Sequence, residues 1–228
     1  MIKFIKFAFR TIDTSKDIST KLKYLFYSVF YALLAVLLFI ILGRLFYDSI
    51  NYLFNTHLNI TDISEATKNN LTLPFYVIVI LGPFVEEILF RLWLSFKKIE
   101  VIISFIFWLF ILINGSYEEL NLSKNEWLTF VFLSLAYLWG VDRLFKKNPT
   151  FLAKYKYHFY ILSLVTFTLV HAMNFDFFTL HLLILSPLYL FPKMIIGFFM
   201  TRLRISFGFI WGLFFHIIIN GISFVLSV

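Results

Sequence analysis

Long apolar runs separated by short charged loops set the pattern of this chain. The runs cover about Tyr24–Leu42, Leu73–Phe96, Ile99–Asn114, Trp127–Val141, Tyr157–Ala172, Phe177–Thr201 and Phe207–Val228. Most approach the length of roughly 20 apolar residues that an α-helix needs to cross a bilayer. The predicted fold is therefore all-α, a polytopic transmembrane helical bundle. Pro187, Pro192 and Lys193 interrupt the sixth run, which is either one long kinked helix or two shorter segments. The expected count is accordingly seven or eight spans.

Loop charges orient this bundle. In the seven-span arrangement about 15 of the 20 Lys and Arg fall in the N-terminal segment and in the loops at Lys97, Arg143–Lys156 and Arg202–Arg204. Only Arg44, Lys68 and Lys124 fall in the opposite loops, so the N-terminus is expected in the cytoplasm. Residues 1–23 form a basic segment, read either as an amphipathic helix on the inner surface or as an ordinary tail. Residues 24–228 form the membrane domain, with its chemistry-bearing core in 73–228, and no repeat or separate soluble domain is evident. Thr61–Glu65 carries the signal of a capped short helix in the second loop.

Composition narrows the class further. Hydrophobic residues make up 61% of the 228 positions, too many for the polar surface of a soluble domain to cover. The formal charge of +7 lies in loops, as topology signals and contacts with anionic headgroups, and not as a stripe that would suit nucleic acid. With no cysteine, disulfides and thiolate metal sites are excluded. The Lys, Asn, Ile and Phe bias points to an AT-rich bacterial genome, and so to a bacterial plasma membrane.

Against that background the stretch Pro83–Arg91 stands out, because Glu86, Glu87 and Arg91 lie inside an apolar run. Each buried charge costs roughly 2.5–3.5 kcal/mol on insertion scales, so three within six residues require compensation or a function. Glu87 and Arg91 are spaced i, i+4 and can neutralise each other. Glu86 is turned by about 100° from Glu87, free to face a polar cavity where desolvation favours a base. His171, His216 and Asn220 are the polar groups of other spans, with His216 and Asn220 again i, i+4, and Phe167 one turn before His171. At about 1.5 Å of rise per residue, Glu86, His216 and His171 lie roughly 15, 14 and 21 Å from the cytoplasmic ends of their spans. One constellation in mid-membrane is feasible.

Glu86-Glu87-x-x-x-Arg91, Phe167-x-x-x-His171 and His216-x-x-x-Asn220, in this order on separate spans, resemble the CAAX protease and bacteriocin-processing (Abi) family of intramembrane proteases, related to the type II CAAX prenyl endopeptidases. The resemblance covers about Pro83–Val228. It implies an intramembrane endopeptidase in which Glu86 with His171 activates water and His216 with Asn220 holds the oxyanion. Glu87, Arg91 and Phe167 then support or orient. A metal-free reaction is favoured; the zinc alternative uses Glu86, His171 and His216 as ligands. The expected partners are a peptide or membrane-protein substrate and the bilayer, and the oligomeric state is open. The turn Thr201–Ser206 lacks the glycine often seen before the last span.

Two other readings bear on these residues. A neutralised packing cluster explains Glu86, Glu87 and Arg91 without chemistry. A non-proteolytic immunity or scaffold protein, binding a sensor or secretion partner, explains a membrane location without hydrolysis. Gly221-Ile222-Ser223 reads as small-residue helix packing. Asn174 and Asp176 are candidates for the mouth of the site, although an ordinary short loop is the better reading.

Overall fold

In the computed structural model, described over residues 17–54, 74–114, 124–147, 154–172 and 180–227, the chain is helical with no strand among those residues. The helices are α1 (Ile18–Phe54), α2 (Gly82–Phe90), α3 (Lys98–Asn114), α4 (Lys124–Lys147), α5 (Lys156–Ala172), α6 (Leu180–Phe207) and α7 (Phe209–Ser227). Residues 1–16, the Thr61–Glu65 cap, Asn174 and Asp176 lie outside the described residues.

Among the described residues, three stretches are long and apolar enough to cross a membrane: Ile18–Phe46, Asn125–Lys147 and Phe209–Leu226. Two other helices, α3 and α5, have 17 residues each, and α2 has nine. These lengths fall short of the usual span of about 20 residues.

Hydrogen bonding explains where helix ends depart from the apolar runs. Asp17 caps α1 by accepting the Thr20 N–H (3.3 Å), and its carbonyl takes the Lys21 N–H, so the helix starts ahead of Tyr24. That cap holds the Asp17 carboxyl below its usual 3.8. The loop expected from Gly43 does not start there, because α1 continues through Gly43, Arg44 and Asp48 to Phe54. The proline-interrupted run forms one helix, α6, not two. The turn before the last helix is also corrected. Arg202 and Arg204 are still helical, and the break is Gly208, at φ +101°, whose N–H bonds the Arg204 carbonyl at 2.9 Å. A left-handed residue closing a helix is a position for glycine.

The expected single helix Leu73–Phe96 is the largest correction. It divides into a π-helical turn (Val77–Leu81), α2, and a 3₁₀ turn (Leu92–Ser95) that ends at Phe96 with φ 58°. The cause at its start is Pro83, which has no N–H for the carbonyl four residues back and whose ring crowds it. The helix widens there, and Gly82 N–H reaches back five residues to the Val77 carbonyl.

The residues cluster into two compact units, with the described part of one spanning Phe84–Ile161 and that of the other spanning residues 17–83 and 162–227. In the first, Phe90, Trp93, Leu94 and Val101 are buried, and Trp93 meets Phe159 edge-on at 5.5 Å. Phe96 stacks on Tyr160 at 6.0 Å, which offsets its left-handed backbone. The Leu89 carbonyl, near the end of α2, accepts from Ser104 Oγ (3.0 Å) and Trp108 Nε1 (2.9 Å), both on α3. In the second unit α1 packs on α6 through Phe39 and Phe191, stacked at 4.5 Å, and α6 on α7 through Phe199 and Phe215.

Candidate functional site

Glu86, Glu87 and Arg91 belong to the first unit; Phe167, His171, His216 and Asn220 belong to the second. Within the first, the i, i+4 pair forms as its spacing predicts. Arg91 Nη1 donates to Glu87 Oε1 at 2.5 Å, and both side chains are 0% exposed. The backbone reinforces the pair, since Arg91 N–H bonds the Glu87 carbonyl at 3.0 Å just where α2 ends. Glu86, rotated around the helix, is only half-buried. The two adjacent carboxylates are therefore distinguished by environment.

In the second unit one phenyl ring organises both histidines. Phe167 is 1% exposed, lies 4.4 Å from the His171 ring centroid and meets the His216 ring edge-on at 6.1 Å. His216 is itself buried. The ring is held from behind by α6: a Cβ on Gly197 would lie 2.9 Å from Phe167 Cδ1 and from Leu164 Cδ1. Glycine there lets α6 approach α5 closely enough to fix Phe167.

His171 Nδ1 lies 2.9 Å from the Phe167 carbonyl oxygen. A carbonyl can only accept, so Nδ1 carries the proton and, in the neutral ring, Nε2 keeps the lone pair. That tautomer leaves Nε2 as the basic nitrogen.

Asn220 has a role that its spacing from His216 did not disclose. Its Nδ2 donates to the Ile78 carbonyl at 3.1 Å. That carbonyl lies one π-turn before Pro83, which has no N–H to give it, while Gly82 N–H goes to Val77. An amide on α7 thus completes the hydrogen bonding of the π-helical turn 142 residues away. Gly221 beside it faces the same turn, where a Cβ would make an ordinary contact, 3.7 Å from Val79 Cγ1.

This bond makes a sharp prediction. Asn220→Ala is expected to cost about 1 kcal/mol, the lower end of the penalty for a carbonyl that loses its donor, because this one is only partly buried. In a Pro83→Ala background most of that cost should disappear, because the alanine restores a backbone N–H to this turn. Unfolding of the four proteins in detergent measures the coupling. Strict additivity would show that the amide does not answer for the missing proline donor.

Among the described residues, no group of three or more His, Cys, Asp or Glu side chains is positioned to hold a metal ion, so no step is routed through zinc. No family model, curated protein or solved structure matches the chain.

Proposed function

We propose that the chain is a seven-span bacterial plasma-membrane protein, its N-terminus cytoplasmic, that hydrolyses peptide bonds within the bilayer. The observation that carries this reading is the division between the two carboxylates. Glu87, bonded to Arg91, is fully enclosed, while its neighbour Glu86 is half-buried. The proton arrangement of His171 adds support, since its Nε2 is the nitrogen able to take a proton.

The reaction requires Glu86 and His171 to share one water in a polar cavity. Glu86 and His171 Nε2 draw a proton from that water as its oxygen bonds to the substrate carbonyl carbon. The electron pair of the C=O bond moves to oxygen, and N–H donors stabilise the resulting charge. His216 is one donor. Asn220 can be the second, because an amide nitrogen carries two hydrogens and the Ile78 carbonyl takes one. When the C–N bond breaks, the abstracted proton passes to the departing amine, leaving an acid and an amine.

The expected substrate is a secreted peptide precursor, such as a bacteriocin or pheromone. Membranes from cells with active protein should contain cleavage products that are absent from cells carrying His171→Ala, as read by peptide mass spectrometry. Cleavage by the purified protein should survive strong chelators. Activity that chelators remove and zinc restores would replace this metal-free mechanism. Identical peptide profiles would support the alternative, a non-proteolytic immunity or scaffold protein in which the same polar groups serve packing. The Asn220–Ile78 bond is the observation favouring that alternative.

A further inference from the structure

One face of α4 continues from an apolar stripe into a basic end. Leu128, Phe132, Leu135 and Trp139 recur at helical spacing and are each half or more exposed. The same face then carries Asp142, Arg143 and Lys146, with Lys147 at its margin. These last four residues and Trp139, all on α4, line a shallow, open cleft of about 470 Å³.

The cleft is organised, not merely charged. Asp142 holds Lys146 Nζ at 2.7 Å and also bonds Lys98, at the start of α3. Arg143 lies over the Trp139 ring, 5.4 Å from its centroid, an arrangement that steadies the guanidinium. Around it five cations (Lys97, Lys98, Arg143, Lys146, Lys147) face two carboxylates, Glu100 and Asp142. The surplus is positive.

From Trp139 back to Leu128 is about 16 Å at the rise of an α-helix, roughly half of a 30 Å hydrocarbon core. A basic cleft at an interfacial tryptophan, with one leaflet's depth of exposed apolar side chains leading away from it, matches a phospholipid in outline. We propose that this face of α4 binds an anionic phospholipid. The phosphodiester sits against Arg143, Lys146 and Lys147, and the acyl chains lie along Leu135, Phe132 and Leu128. The guanidinium offers the paired donors that suit a phosphate, and the flanking ammoniums select a headgroup with no cation of its own. A second copy of the chain is disfavoured here, since it would bring two surpluses of positive charge together. The proposal rests on the membrane reading above but not on the proteolytic one.

The test uses the full chain in vesicles of phosphatidylcholine doped with brominated phosphatidylglycerol or brominated phosphatidylcholine. Bromine quenches nearby tryptophan, and comparison with Trp139→Phe isolates the share of Trp139 among the five tryptophans. Phosphatidylglycerol is expected to quench Trp139 preferentially. Arg143→Ala/Lys147→Ala should weaken that preference roughly 30-fold, about fivefold for each cation removed. Arg44→Ala, outside the cleft, should leave it intact, and Lys147→Ala alone serves if the double variant does not fold. Equal quenching by both lipids, or a preference unchanged in the double variant, overturns the site. So does glycerol phosphate that abolishes the preference at equal phosphate, or cross-linking that shows a second copy on this face. Failure of the chain to stay in either vesicle after an alkaline wash would sink the membrane reading itself. Retention without lipid preference would sink only the lipid site.

Discussion

Arg91→Ala is expected to destabilise the protein by about 3–5 kcal/mol, the largest effect of any single change considered for the fold. The pair it breaks is fully buried, with Arg91 Nη1 2.5 Å from Glu87 Oε1 and no solvent on either side chain. Removing the guanidinium takes the counter-charge away from a carboxylate with no access to solvent, the setting in which breaking an ion pair costs most. Exposed pairs behave differently. Lys97 and Glu100 lie 3.3 Å apart with the lysine 73% exposed, and Lys97→Ala should change stability by no more than about 0.5 kcal/mol. The decisive comparison is Glu87→Leu/Arg91→Leu. If the cost comes from an uncompensated charge, the double variant should be less destabilised than Arg91→Ala, because neither charge of the pair is then left inside. Equilibrium unfolding in detergent measures all three. Additive losses, or an Arg91→Ala protein as stable as the parent, would mean that the pair does not carry the burial of this helix.

The helices most legible from hydropathy were those whose ends coincide with a change in polarity. Lys98–Asn114 and Lys156–Ala172 each begin one residue ahead of the apolar run that predicts them. Hydropathy gave no warning of the other ends, because hydrogen bonds set them. Asp17 starts α1 seven residues before Tyr24, by accepting an N–H that the first turn leaves over. Gly208 ends α6 by adopting a conformation that most residues avoid. The division of Leu73–Phe96 was hidden for a similar reason. Pro83 was visible, but its consequence depends on which group answers the carbonyls it cannot bond, and one of those groups is Asn220.

Legibility of the candidate site follows the same line. Glu87 and Arg91 were readable because four residues along a helix brings side chains together whatever surrounds them. The contact of Phe167 with His171 was readable on the same ground. The proton position on His171 and the close approach at Gly197 were not, since both depend on a particular carbonyl or a neighbouring helix. Local spacing carried the local part of the site. Nothing local could carry the rest.

Glu86→Gln is expected to reduce peptide hydrolysis by at least about 100-fold while leaving the unfolding midpoint close to that of the parent. The substitution keeps size and hydrogen-bonding capacity and removes only the ability to take a proton. Because Glu86 is half-buried while Glu87 and Arg91 carry the fully buried ion pair, the loss should appear in turnover and not in stability. Glu87→Gln should do the reverse, since it leaves the Arg91 charge buried without its counter-ion. The contrast between adjacent residues is the test, because a general disturbance of α2 would affect both variants alike. Purified proteins in vesicles, assayed for cleavage and unfolding side by side, would read it. Full proteolysis by Glu86→Gln would remove Glu86 from the mechanism. A cellular phenotype that survives Glu86→Gln, alongside lost cleavage, would assign the biological role to binding and reduce the hydrolytic chemistry to a side activity.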